Sequence, residues 1–375
     1  MIYTGNNRNL TIEPYEPCPC HLDKKFKFCC YQKAKKDTSA PMAKGFSLGR
    51  VNHLIREFYA ATDFRTCFAF ENNQCSGPIK NAHSLQNNRI LNVICENGHL
   101  YYFKPEVVDS GPTSVIKKIG KNDASTFFGF CDFHDTELFK PIELFDYTGD
   151  IQQKFLFAFR ALAVEMHKKL RQLENVKRMF AQRPRIMLDP QFVYMYRVAM
   201  SDVNDHQIEY ELFKQGFQNG DYTGVRTIHR ELQYGVKFAA CSSFTVRYDI
   251  NGKVMNDTFS TKNDRMPSIF LNIYPTPQGT TNILISYLNI DSEVYQNYFN
   301  SLDALDDQKL TKYLNYLVIE NTENVFFTPS YIESLSENER KSFERSYNSS
   351  MNVLERASLL AEGNYYKFDL FNLAP

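Results

Sequence analysis

Ile269-Phe-Leu-Asn-Ile-Tyr-Pro275 and Asn282-Ile-Leu-Ile-Ser-Tyr-Leu288 are two short runs separated by Thr276-Pro-Gln-Gly279 and its neighbours. Both are rich in β-branched and aromatic residues and bounded by Pro and Gly, which reads as two strands paired across a turn. Upstream, Phe244-Thr-Val-Arg-Tyr-Asp-Ile-Asn251-Gly252-Lys-Val254 reads as another hairpin with Asn-Gly at its turn. Further out the period changes. Phe155, Phe159, Leu162, Met166, Leu170, Leu173 and Phe180 recur at helical steps over 151–182, and Pro184 ends that helix. Residues 190–215 read as a second helix. Residues 291–360 return to helical spacing, with Ser334 or Ser336 as N-cap. Helices beside locally paired strands, without βαβ alternation, predict an α+β fold with an antiparallel sheet in the C-terminal half.

The 375 residues are enough for several domains. The pattern divides them into a cysteine-bearing module and Lys-rich linker at 1–45, with the linker around Ser39-Ala40-Pro41. A Cys/His-rich domain follows at 46–150, opening with an amphipathic helix on Val51, Leu54, Ile55 and Phe58. A helical region at 151–220 and an α+β domain at 221–375 complete the division. No apolar run reaches membrane-span length, since Phe155–Met166 is broken by Arg160, so no membrane partner is expected. The N-terminus has no apolar signal region, which gives a cytoplasmic expectation. In that reducing compartment the nine cysteines are expected as ligands or core thiols, Cys95 and Cys241 among the latter.

Net charge is zero, yet residues 1–185 hold 27 Lys/Arg against 19 Asp/Glu, and residues 186–375 hold 16 against 24. One reading gives the basic half an anionic partner, either nucleic acid or an acidic protein surface. The other pairs the two halves with each other. The same alternatives hold for the basic face of 151–182, where Lys154, Arg160, Lys168, Lys169, Arg171, Lys177 and Arg178 read as exposed. It is either a stripe for phosphates or a solvated surface.

The sharpest motif is Pro17-Cys18-Pro19-Cys20-His-Leu-Asp-Lys24-Lys25-Phe-Lys27-Phe-Cys29-Cys30. Zinc takes four thiolates in a tetrahedron, and Pro19 stiffens the Cys-x-Cys turn. So small a module needs the metal for its folding energy. The stretch resembles the SEC-C motif, an appendix on many bacterial proteins. Its Cys spacing, Pro19, Lys24, Lys25 and Phe26 match that motif, and His-Leu-Asp at 21–23 replaces a Gly-Ser-Gly-like turn. The resemblance implies a zinc-stabilised knob that docks on an acidic partner, with Lys24, Lys25 and Lys27 around it.

A second cluster spans 64–147. It holds Cys67-x7-Cys75, Asn81-Ala82-His83-Ser84, a strand Leu100-Tyr-Tyr-Phe103 after the Asn97-Gly98 turn, and Cys131-Asp-Phe-His134-Asp135. A knuckle, a hairpin and a ligand pair at a helix start describe a treble-clef zinc site on Cys67, Cys75, Cys131 and His134. The alternatives are a buried strand thiol at Cys67, and His83 as a core histidine or as fourth ligand in place of Cys67. The arrangement is similar to the HNH, or ββα-metal, nucleases. That likeness implies His83 as general base, Asp135 or Glu143 as ligand to magnesium or manganese, and Asn87 or Asn88 orienting the base. The wide first pair and the long insert at 84–130 depart from the family pattern, as does the absence of a second His on the helix.

Two functions follow from these motifs. One is a zinc-binding, metal-dependent endonuclease acting in phage or mobile-element defence, with Lys168, Lys169 and Arg171 on the nucleic acid and the acidic C-terminal domain regulating. The other is a non-catalytic adaptor with two structural zinc sites.

Overall fold

The computed structural model describes residues 10–20, 23–37, 47–71, 75–109, 111–256, 265–348 and 369–371. The linker expected at Ser39-Ala40-Pro41, the side chain of Leu54 and the helical spacing beyond 348 fall outside them. In chain order the elements are α1 (Tyr31–Lys36), α2 (Leu48–Ala61), β1 (Ile79–His83), α3 (Asn92–Ile94), β2 (His99–Val108), β3 (Gly111–Gly120), β4 (Thr126–Cys131) and α4 (Asp132–Glu143). Next come α5 (Ile151–Gln182), α6 (Pro190–Gln218), β5 (Val225–Leu232), β6 (Phe238–Phe244), β7 (Ile269–Pro275) and β8 (Thr281–Leu288). The chain then runs through α7 (Ser292–Asp303), α8 (Asp307–Asn321), β9 (Val325–Phe327), α9 (Pro329–Ser334) and α10 (Glu337–Asn348). The fold is α+β, as the patterning predicts. No helix among the described residues is long and apolar enough to cross a membrane.

The chain forms two compact units, divided within α5 between Glu165 and Met166 and within α6 between Glu209 and Tyr210. The smaller unit comprises Met1–Arg65, Met166–Glu209 and Phe259–Arg265. Its core joins the first cysteine cluster to the helices. Cys18, Cys20, Phe26 and Cys30 pack with Val176, Phe180, Met187, Val193 and Tyr196. The buried Arg197 donates to Glu16 (2.6 Å) and to the Thr11 carbonyl (3.1 Å), fixing the segment that leads into the cluster. The cysteine module is therefore seated on its own chain through one face.

The larger unit is built on a seven-stranded antiparallel sheet in the order β3-β2-β9-β6-β7-β8-β5. β7 and β8 are buried at every position, which is why they read as continuous apolar runs rather than alternating ones. They pair from Ile269↔Tyr287 to Pro275↔Thr281, across the turn expected there. Tyr295, Phe299, Leu310, Leu314 and Leu317 of α7 and α8 fill the core against these strands. The Asn251-Gly252 turn forms, but its strands shrink to one bridge, Tyr248↔Val254. Asp249 Oδ1 accepts from the Asn251 and Lys253 amides (2.8 and 2.9 Å), which satisfies locally what a ladder would otherwise pair.

The edge strand β3 is closed by α10. The Ser114 amide donates to Asn348 Oδ1 (2.8 Å) and the Ile116 amide to Glu344 Oε1 (2.9 Å), so donors that would template aggregation are satisfied. The helix starts at a capping box: Glu339 N–H donates to Ser336 Oγ (3.3 Å) and Ser336 N–H to Glu339 Oε2 (2.8 Å). Ser336→Ala is expected to cost about 1 kcal/mol of stability in urea unfolding, the usual scale of a lost N-cap. An unchanged midpoint would mean that the box does not hold α10.

A second, two-stranded sheet carries His83 and Cys131. β1 and β4 pair antiparallel from Ile79↔Cys131 to His83↔Thr126, and α4 follows directly. The long insert between them contributes β2 and β3 to the large sheet. Asn97 and Gly98 adopt positive φ, giving the tight turn expected before β2.

Candidate metal centres and the His83 site

Cys18 and Cys20 flank Pro19 on a turn whose Cys18 amide donates to the Lys24 carbonyl (2.8 Å). Cys29 and Cys30 close the set from the start of α1. Neighbouring Sγ atoms lie 3.4 (Cys18–Cys20), 3.3 (Cys20–Cys29), 3.7 (Cys29–Cys30) and 3.2 Å (Cys20–Cys30) apart. Tetrahedral Zn–S bonding sets S···S edges at about 3.8 Å. The cluster therefore has the size of a zinc shell, and far exceeds an S–S bond. Burial, assisted by the Cys20 thiol, pushes Cys18 up to about 12, and burial with its sulfur neighbours pushes Cys30 up further. Thiols gathered this way resist ionising together unless a cation neutralises them, so the donor set fits zinc.

Around the knob, Lys24, Lys25 and Lys27 are exposed. Lys27 Nζ donates to Tyr15 Oη (2.9 Å) and lies 5.8 Å from the Phe28 ring centroid, while Lys25 sits 5.5 Å over Tyr15. Of the three stripe residues expected on the nucleic acid, Lys169 pairs with Asp202 (2.8 Å), and Arg171 with Asp63 (3.5 Å) and the Tyr59 carbonyl (2.9 Å). Lys168 is half-buried.

The second set gathers on β4 and α4. Thr66 and Phe68 amides donate to the Phe128 and Gly129 carbonyls (3.3 and 2.8 Å), laying Cys67 along β4. That approach needs a glycine: a Cβ at Gly129 would stand 2.2 Å from the Phe127 ring and 3.1 Å from Phe68. Cys131 is the N-cap of α4, and His134 lies in its first turn. His134 Nδ1 is 3.4 Å from Cys67 Sγ, 3.6 Å from Cys75 Sγ and 3.2 Å from Cys131 Sγ. Tetrahedral zinc sets S···N edges of about 3.6 Å, so this Cys3His set also fits. Burial pushes Cys67 up to about 12. Cys131 is held below its ordinary value: burial opposes ionisation, but the His134 and Ser76 amides and the two partner thiols outweigh it. Cys67 belongs to the converging set and His83 does not, which speaks against the alternative in which His83 replaces it. Among the described residues, only these two sets of Cys, His and carboxylate groups converge.

His83 ends β1, where the chain after it is fixed from several directions. The Ser84 amide donates to the Ser125 carbonyl (2.9 Å), and the two serine hydroxyls meet at 2.5 Å. Asn324 Nδ2 donates both to Ser84 Oγ and to the Cys241 carbonyl, each at 2.8 Å. The imidazole hydrogen-bonds the Asn122 main chain, and its Nε2 is buried without a partner. Burial, and secondly the Arg160 guanidinium, hold its pKa below the ordinary histidine value, against the pull of Glu143. Asp135, one residue past His134, is raised by burial, while Arg160 lowers it and Glu143 and Asp132 add to the rise. Glu143 lies 2.5 Å from Arg160 Nη1. Asn87 is half-buried, with Oδ1 unpartnered, and hydrogen-bonds Asn122 (3.3 Å) rather than His83; Asn88 is exposed.

Arg160 is the residue that sequence reasoning placed wrongly. It is buried, only 2% exposed, not part of a solvated face. Phe139 stacks under its guanidinium at 4.1 Å and Glu143 neutralises it. A charged residue at a helical step reads as surface, and nothing local announces partners on α4. Ser125 and Asn324 likewise gave no sequence signal. No protein family, curated protein or solved structure matches this chain.

Proposed function

We propose that the chain is a metal-dependent nuclease of the HNH-like ββα type, with an SEC-C-like zinc knob at its N-terminus. The single observation that carries this is His83. It ends the first strand of a β1-β4-α4 unit, with one ring edge tied to main chain, Nε2 buried and unpartnered, and its pKa held below the ordinary histidine value by burial. That is the state a general base needs to take a proton from water. Asp135 or Glu143 would be the carboxylate toward magnesium or manganese; the two stand eight residues apart on α4 and do not converge with His83 into one set. An ion held by one carboxylate keeps waters and can take substrate phosphate. When bound, the ion supplies charge neutralisation at the leaving oxygen. Arg160 keeps the two carboxylates and the neutral imidazole balanced in a buried setting. In this reading 46–150 is the catalytic domain, and both zinc sites are structural. The lysines of 1–45 and the basic part of 151–220 approach nucleic acid, and 221–375 regulates, in keeping with a role in defence against phage or mobile elements.

The test is cleavage of single- and double-stranded DNA and RNA by zinc-replete full-length protein with added magnesium or manganese. Cleavage of any of the four supports the reading. A second reading, a zinc-stabilised adaptor, is favoured by Arg160 alone, since a guanidinium already neutralises the carboxylates that a catalytic ion would join. Failure to cleave all four substrates with either ion moves the assignment there.

A further inference from the structure

The larger unit contains a cavity of about 230 Å³ that neither the zinc sites nor His83 use. Its floor comes from β5, β7 and β8, and its rim from the segments after His83 and after α4. Aromatic rings make the walls: Phe157 and Tyr274 stack at 5.4 Å and 17°, and Tyr147 lies 4.6 Å from the His229 ring. Polar and charged side chains complete the lining, among them Gln86, Arg89, Glu231, His229 and Asn282. His229 Nε2 donates to Asn282 Oδ1 at 2.7 Å, which sets the tautomer and leaves Nδ1 as a lone-pair acceptor. The same bond leaves the Asn282 amide nitrogen as a donor. Tyr147 Oη is buried with no partner at all. At the rim Arg89 pairs with the exposed Asp146 through Nη2, and a guanidinium has further donors to spare.

Flat apolar walls, a small volume, a neighbouring donor and acceptor, an orphaned hydroxyl and a cation at the mouth match one ligand chemistry. That chemistry is a heteroaromatic ring with hydrogen-bonding edges, carried on a phosphorylated sugar. We propose that this cavity binds a free mononucleotide, its base against the aromatic wall that Tyr147, Phe157 and Tyr274 form and its phosphate at Arg89. A buried hydroxyl without a partner costs stability, and a base edge satisfies it. Base–aromatic stacking supplies affinity with little dependence on which base is bound. The assignment concerns binding alone and stands whether or not the protein cleaves nucleic acid.

Titration calorimetry of the zinc-loaded full chain with AMP, GMP, CMP and UMP tests it, with adenosine and inorganic phosphate as separate arms. At least one nucleotide is expected to bind saturably at one per chain. Its affinity is expected to fall about tenfold or more in His229→Ala and in Tyr147→Ala, the scale of one lost stacking contact. Tyr147→Phe removes only the hydroxyl and is expected to weaken binding about threefold; it serves where Tyr147→Ala melts below the wild type. Binding of none of the four nucleotides overturns the proposal. So does binding unchanged in His229→Ala and Tyr147→Phe, or inorganic phosphate binding as tightly as the best nucleotide.

Discussion

His83→Ala lowers nucleic-acid cleavage by about 10²–10⁴-fold, the range lost with a positioned general base, while the protein keeps both zinc ions and its melting temperature. The expectation rests on the half-used imidazole: one edge hydrogen-bonded to the Asn122 main chain, Nε2 free. Because burial and Arg160 hold its pKa below the ordinary histidine value, the base form persists as pH falls. The acid limb of the wild-type pH–rate profile should therefore lie below about 6.5, the unperturbed histidine pKa, and should vanish from the residual activity of the variant. Cleavage retained in His83→Ala removes the residue from the chemistry. Loss of cleavage together with loss of zinc gives it a structural role instead.

Cys131→Ser has the largest expected effect on stability. Cys131 is fully buried, ends β4, caps α4 and touches His134, so one substitution opens the Cys3His set and the strand–helix joint together. Structural zinc is worth about 10 kcal/mol or more in small zinc domains, comparable with the whole stability of an ordinary domain. The variant is expected to carry one zinc per chain instead of two by atomic emission, and to lose the main cooperative thermal transition. Cys18→Ser should remove the other ion and loosen Phe26 and Cys30 from Val176 and Phe180. A Cys131→Ser protein that holds one zinc and melts like wild type would show that the metal is dispensable to the β1-β4-α4 unit.

Local chemistry was legible in the sequence, and long-range pairing was not. The helix at 151–182 has the expected bounds because its apolar period is unbroken and Pro184 stops it. β7 and β8 were readable because the turn joining them is adjacent. The eight residues of the two converging sets were readable because zinc chemistry restricts residue type and spacing. By contrast, β1 finds β4 across a long insert, and β2 pairs with β9 as Tyr101↔Phe327, more than two hundred residues away. Period and propensity describe one strand at a time and carry no information on such partners. The burial of Arg160 was hidden for the same reason: its partners, Phe139 and Glu143, lie on another element.

Asn324 reaches from the end of α8 to Ser84, the residue after His83, and the insert between β1 and β4 supplies two strands of the large sheet. The histidine's address is thus written partly in the last sixth of the chain. The β1-β4-α4 unit is consequently not a portable cassette: a gene cut after α6 would keep both cysteine clusters and His83, yet leave β2 without β9 and Ser84 without Asn324. Shuffling of this chain by recombination would favour exchanging the whole larger unit, and a truncation that spares each motif would still open the large sheet.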